Sequence, residues 1–106
     1  MIKIINSNEF EREVLNNKKV VLLDFYGSWC MPCKMLSSIL DDVNKKLGDK
    51  LDIVKVDVDD NMELAREYGV LTVPTMLVII GGEEVEKVVG FRQEKQVLDL
   101  VNKYLN

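Results

Sequence analysis

The chain is predicted to fold as an α/β domain, with a mixed central β-sheet and helices on both faces, in the order β-α-β-α-β-α-β-β-α. Three observations predict it. Near-continuous apolar runs at Val20–Tyr26 and residues 51–58 suit strands buried on both faces of a sheet. Segments with apolar residues at helical spacing alternate with these runs, so the early strands are joined by crossovers and pair in parallel. Gly81-Gly82, between two later strand-like runs, marks a tight turn and an antiparallel pair.

Residues 2–5, Ile-Lys-Ile-Ile, read as a short first strand. Asn6 with Glu9 three residues on forms a capping-box pattern, opening a helix on which Phe10 and Val14 share a face. The strand Val20–Tyr26 comes next. Leu36, Ile39, Leu40, Val43 and Leu47 then recur at helical spacing, and Gly48 is the stop. Residues 51–58 form the next strand, and residues 61–68 a short helix closed by Gly69. Thr75–Ile80 and residues 84–89 flank the Gly-Gly turn. From Gln93 onward, Val97, Leu100, Val101 and Tyr104 describe a last amphipathic helix. No repeat, low-complexity segment or linker interrupts this order, so residues 1–106 are expected to be one domain.

A chain of 106 residues can bury roughly two-thirds of its unfolded surface. At 47% hydrophobic and 30% charged, it needs no staple to fold, so its two cysteines point to chemistry rather than scaffold. A net charge of −4, with basic residues dispersed among acids, argues against a surface that tracks nucleic-acid phosphates. The N-terminal segment is charged from Lys3 and lacks an apolar core of signal-peptide length. No apolar run approaches the roughly 20 residues that cross a bilayer. The expected location is the cytoplasm, where disulfides are mostly transient and catalytic.

That chemistry centres on Trp29-Cys30-Met31-Pro32-Cys33, where a buried strand gives way to a helix. Two thiols at this spacing close a small disulfide ring with little backbone movement. Cys30, at the helix start, gains unpaired backbone N–H groups and the positive end of the dipole, which favour a thiolate. It is the expected nucleophile. Pro32 falls in the first turn, where its missing N–H is harmless. Cys33 lies one turn in, facing the interior, and is the expected resolving thiol. With no histidine in the chain, a closed zinc site lacks ligands and Cys–His hydrolysis lacks its base.

Asp24 and Lys55 each interrupt an apolar strand. Buried, Asp24 would have its carboxyl raised toward neutrality and could serve as a proton acceptor; on a half-exposed strand it would simply face solvent. Lys55 is its candidate partner, although strand pattern alone leaves it a solvent-facing position. Pro74 precedes a strand. An ordinary trans bond is the default there, while a cis bond is a recurrent device in tight turns. Trp29, Met31, Val73, Gly90 and Phe91 suggest an apolar rim around Cys30 that docks extended polypeptide, with Gly90 allowing close backbone approach.

Taken together, these residues resemble the thioredoxin family. The similarity runs essentially end to end through Asp24-Phe25-Tyr26, Trp29-Cys30-Met31-Pro32-Cys33-Lys34-Met35, Lys55-Val56-Asp57-Val58-Asp59, Val73-Pro74-Thr75 and Gly90. The resemblance implies a thioredoxin-like fold in which Cys30 attacks, Cys33 resolves and buried Asp24 helps Cys33 lose its proton. Lys55 becomes the neighbour of Asp24, and Pro74 becomes cis and packed against the site. Main-chain groups around Val73 and Gly90 would line the substrate groove. Also implied are disulfide-bearing protein substrates, and a thioredoxin reductase drawing on a reduced pyridine nucleotide as electron donor. The redox-active Cys30–Cys33 disulfide would need no metal or bound organic cofactor, and the expected state is a monomer.

The chain departs from the family pattern at Met31, usually glycine, and at Ser38, commonly a kinking proline. Tyr26 replaces a frequent tryptophan, and Phe91 a usually smaller residue. Rival readings are a thiol oxidase or isomerase, a glutaredoxin, and a non-enzymatic module that holds one partner on the apolar rim. The Met31-Pro32 dipeptide argues against the first, the strand and helix before Val20 against the second, and two cysteines at reactive spacing against the third.

Overall fold

The apolar runs become the centre of the sheet. The computed structural model describes residues 2–105. Five strands, β1 (Ile2–Ile4), β2 (Val20–Tyr26), β3 (Leu51–Asp57), β4 (Thr75–Ile80) and β5 (Glu83–Val89), lie in the order β1-β3-β2-β4-β5. β3 pairs in parallel with both β1 and β2, as helical crossovers require. β4 runs antiparallel to β2 and to β5. Gly81 and Gly82, with φ of 59° and 81°, make the two-residue turn between β4 and β5. Both positive angles suit glycine and match the right-handed twist of a hairpin.

Side chains alternate along each strand, so the sheet carries two cores. On one face Val21, Leu23 and Phe25 of β2 pack with Phe10, Val14 and Leu64. On the other, Leu22 packs with Leu36, Leu40 and Val43 of helix α1 (Met31–Leu47) and with Val97 and Val101 of α3 (Glu94–Asn102). The short helix α2 (Met62–Glu67) lies on the first face. α1 runs unbroken through Ser38 to Gly48, which ends it at φ 52°.

The first helix differs from expectation. The capping box at Asn6 and Glu9 forms, with Asn6 Oδ1 accepting from the Asn8 N–H and Glu9 Oε1 from the Asn6 N–H. Beyond the cap, a 3-10 turn at Ser7–Glu9 and then a wide π-type turn at Glu11–Leu15 take the place of an α-helix. The Asn16 N–H reaches back five residues to the Glu11 carbonyl at 2.9 Å. Phe10 and Val14 are nonetheless both buried, so the anchoring that periodicity predicts is met with a different ladder.

Candidate active site

Cys30 is the N-cap of α1, with extended backbone angles, and Met31 and Pro32 form the first turn. Pro32 therefore removes an N–H that would have had no partner inside the helix. The Cys30 N–H donates to the Gly27 carbonyl at 3.2 Å, which holds the approach to the helix. Cys30 Sγ in turn accepts from the Cys33 N–H at 3.2 Å. Cys30 and Cys33 are joined as a disulfide with their Cα atoms 5.2 Å apart. Both are covered: Cys30 is 5% exposed and Cys33 3%. An incoming sulfur must therefore approach through a narrow opening.

The flanks of that opening are apolar. Trp29 and Met31 stand in solvent, 67% and 63% exposed. The Trp29 indole N–H donates to Asp59 Oδ2 at 2.6 Å, which ties the loop before Cys30 to the segment after β3. Cys30 Sγ lies 3.8 Å from the Val73 carbonyl oxygen. Val73-Pro74 is a cis peptide, and Pro74 is buried. The Gly90 N–H donates to the Pro74 carbonyl at 2.8 Å, which joins the end of β5 to the cis-proline loop. Phe91 is half-buried and packs against the core cluster beneath α1 and α3, so its ring serves packing as well as any rim. Beside Trp29, Val58, Val70, Leu71 and Val73 line a shallow apolar hollow of about 110 Å³. Leu71, 94% exposed, went unremarked in the sequence because a lone apolar residue in a loop carries no periodic signal.

Asp24 and Lys55 are both buried, on the face covered by α1. This corrects the solvent-facing reading of Lys55. β3 is flanked by β1 and β2, so neither of its edges nor this face is open to water. The two residues are register partners across β2 and β3. Burial pushes the Asp24 carboxyl up to about 7, opposed by a smaller pull from the Lys55 ammonium. Neither Asp24 oxygen accepts a hydrogen bond from any described residue. The Lys55 ammonium donates instead to Ser37 Oγ at 2.6 Å and stands 5.0 Å from the centre of the Tyr26 ring. Cys33, Ser37, Lys55 and Tyr26 share the lining of a cavity of about 180 Å³.

Ser37 is thus a site residue that the sequence reading missed. Its position four residues after Cys33, on the same side of the helix, was the available signal. Asn61 is another buried polar group, accepting from the Ser7 N–H and hydroxyl and donating to the Asp57 carbonyl. It ties the N-terminal turn to the end of β3. Among the described residues no group of three or more His, Cys, Asp or Glu side chains is placed to hold a metal ion. None of the helices is long and apolar enough to cross a membrane.

Comparison with known proteins gives the family. A family model described as thioredoxin matches residues 1–103. Thioredoxin of Bacillus subtilis (strain 168) is 44% identical over 102 residues, covering 96% of this chain and 98% of that protein. Thioredoxin of Rickettsia typhi is 38% identical, covering 97% of this chain and 98% of its own length. For thioredoxin of Listeria monocytogenes serovar 1/2a, identity is 38% with coverage of 99% and 100%. With the match running almost from end to end over a sheet that sets Cys30 and Cys33 at a helix start, the chain belongs to the thioredoxin family and is a thiol–disulfide oxidoreductase.

Proposed function

We propose that the chain, as one thioredoxin domain over residues 1–106, reduces disulfides in other proteins through a mixed disulfide on Cys30. In the dithiol form the Cys30 thiolate attacks one sulfur of a substrate disulfide. A Cys30–substrate bond forms, and the other substrate sulfur leaves as a thiolate and takes a proton. Cys33, giving its proton to Asp24, then attacks Cys30 Sγ and releases the second substrate thiolate. Two electrons pass to the substrate, and the Cys30–Cys33 disulfide remains.

The observation that carries this reading is the hydrogen bond from the Cys33 N–H to Cys30 Sγ at the start of a 17-residue helix. The donor is already aimed where thiolate charge would develop, and the dipole adds to it. Met31 and Pro32 complete the turn that presents it. Trp29, Met31, Val73, Pro74, Gly90 and Phe91 form the docking groove, with backbone groups of Val73 and Gly90 pairing to an extended substrate segment. Lys55 tunes Asp24.

The electron donor in this reading is a thioredoxin reductase, and the protein acts as a monomer in the cytoplasm, where such disulfides are transient. The test is equilibration of the dithiol and disulfide forms against glutathione buffers. A potential well below the glutathione pool supports a reductase. One near or above the pool would favour the oxidase reading instead.

A further inference from the structure

Asp24 and Lys55 are the only charged side chains buried among the described residues. They occupy paired positions on adjacent strands, yet they form no ion pair. Opposite charges shielded from water attract strongly, so something must hold the cation aside. Two groups do so. Ser37 Oγ accepts from Lys55 Nζ at 2.6 Å, and the Tyr26 ring lies beneath the same ammonium. Ser37 projects from α1 one turn beyond Cys33, into the cavity that both residues line.

We propose that Ser37 is a positioning residue: its hydroxyl holds the Lys55 ammonium at the cavity beside Cys33 and out of ion-pairing range of the Asp24 carboxyl. With the cation so held, burial dominates the Asp24 environment, and the carboxyl keeps its proton up to about neutral pH. Remove the Ser37 hydroxyl, and the ammonium turns to Asp24, the one buried carboxylate within its reach. The ionised carboxyl is then favoured and its titration falls to lower pH.

Among the described residues Lys55 is the one buried cation, and the one charge that acts on Asp24. From α1, Cys33, Ser37 and the exposed Lys34 line the cavity. β4 offers Met76 at the paired position, and α3 presents Val97, Leu100 and Val101 to this face. On β2 the Tyr26 phenol is itself pushed up, first by burial and then by Asp57, Asp24 and Asp60. It stays neutral across the range that matters.

The catalytic consequence rests on the proposed role of Asp24, whereas the positioning does not. The experiment therefore reads the two separately. Carbon-13 NMR of the Asp24 carboxyl gives its titration in the reduced wild type, Ser37→Ala and Ser37→Thr. Stopped-flow release of substrate from the Cys30 mixed disulfide gives the pH profile of each protein. We expect Ser37→Ala to lower the Asp24 midpoint by about one pH unit or more, and Ser37→Thr, which keeps a hydroxyl, to restore it. The release profile should move with the midpoint. An unchanged midpoint in Ser37→Ala, or a Ser37→Thr protein that falls with it, overturns the proposal. Midpoints that shift as expected beside a wild-type release profile indifferent to the Asp24 titration uphold Ser37 and reject Asp24 as the proton acceptor.

Discussion

Asp24 and Lys55 face each other across β2 and β3, yet the Lys55 ammonium is bonded to Ser37 Oγ at 2.6 Å, and among the described residues neither Asp24 oxygen has a hydrogen-bond donor. A carboxyl left in that condition is stable mainly when protonated. The protein thus keeps a buried carboxyl beneath α1, and the fold bears the penalty of ionising it. The penalty and the proposed chemistry have one cause, which makes stability an independent probe of the site.

Stability should fall as Asp24 ionises. The folded-state carboxyl is raised from 3.8 to about 7, so between those values the folded protein holds a proton that the unfolded chain has released. The contribution of Asp24 is full below the unfolded value and is lost as pH rises through the folded one. The total loss is on the order of 4 kcal/mol by pH 8. Asp24→Asn does not titrate and should escape it. Urea unfolding of both proteins from pH 4 to 8 should show the variant gaining on the wild type as pH rises. A difference independent of pH would show that Asp24 ionises normally in the folded protein.

The two cysteines should fail in different ways. Cys30→Ser should abolish the acceleration that the protein gives to reduction of a disulfide-containing protein by dithiothreitol. Cys33→Ser should still attack, and should accumulate a covalent adduct visible on non-reducing gels and by mass spectrometry. Ordinary turnover by Cys30→Ser, or adducts that form on Cys33 in its place, would reverse the roles.

Trp29 is held by a single hydrogen bond to Asp59 and by close approach to Gly27. A Cβ at position 27 would lie 2.8 Å from Trp29 Cε2, so Gly27→Ala must tilt the ring. Asp59→Ala frees it by removing the acceptor, at about 0.5–1.5 kcal/mol or less, because the indole is exposed. Both variants should shift the fluorescence of this sole tryptophan. Both should also slow turnover of a protein substrate more than that of a small aromatic disulfide. Equal slowing of the two substrates would show that Trp29 serves the chemistry rather than docking.

Leu71 is almost wholly in solvent at the edge of the hollow beside Trp29. Leu71→Asp should leave the unfolding free energy within about 0.5 kcal/mol of wild type, since little burial is lost. It should raise KM for protein substrates severalfold, with kcat little changed. A KM that does not move would exclude the hollow from the docking surface.

Much of this structure is legible in the residues. Continuous apolar runs marked β2 and β3, and Gly81-Gly82 marked the hairpin, because strand burial and positive φ each impose their own composition. The cysteine pair was legible for a similar reason: a helix start, a proline in its first turn and two thiols at this spacing admit few other uses. The ladder of the segment after Asn6 was not legible, since Phe10 and Val14 are buried equally well by an α-helix or a wider turn. Nor was the burial of Lys55, which depends on β3 lying between two neighbours and beneath α1. Ser37 eluded the sequence because a serine in a helix has no distinctive pattern until the ammonium that it holds is located.

Alkylation of the reduced protein with limiting iodoacetamide across pH 4 to 10, with the modified residue identified by mass spectrometry, tests the site most directly. Cys30 should react first, with a midpoint below the ordinary thiol value of about 8.5, while Cys33 stays protected. A Cys30 no faster than a free thiol, or a Cys33 labelled ahead of it, would contradict the assignment.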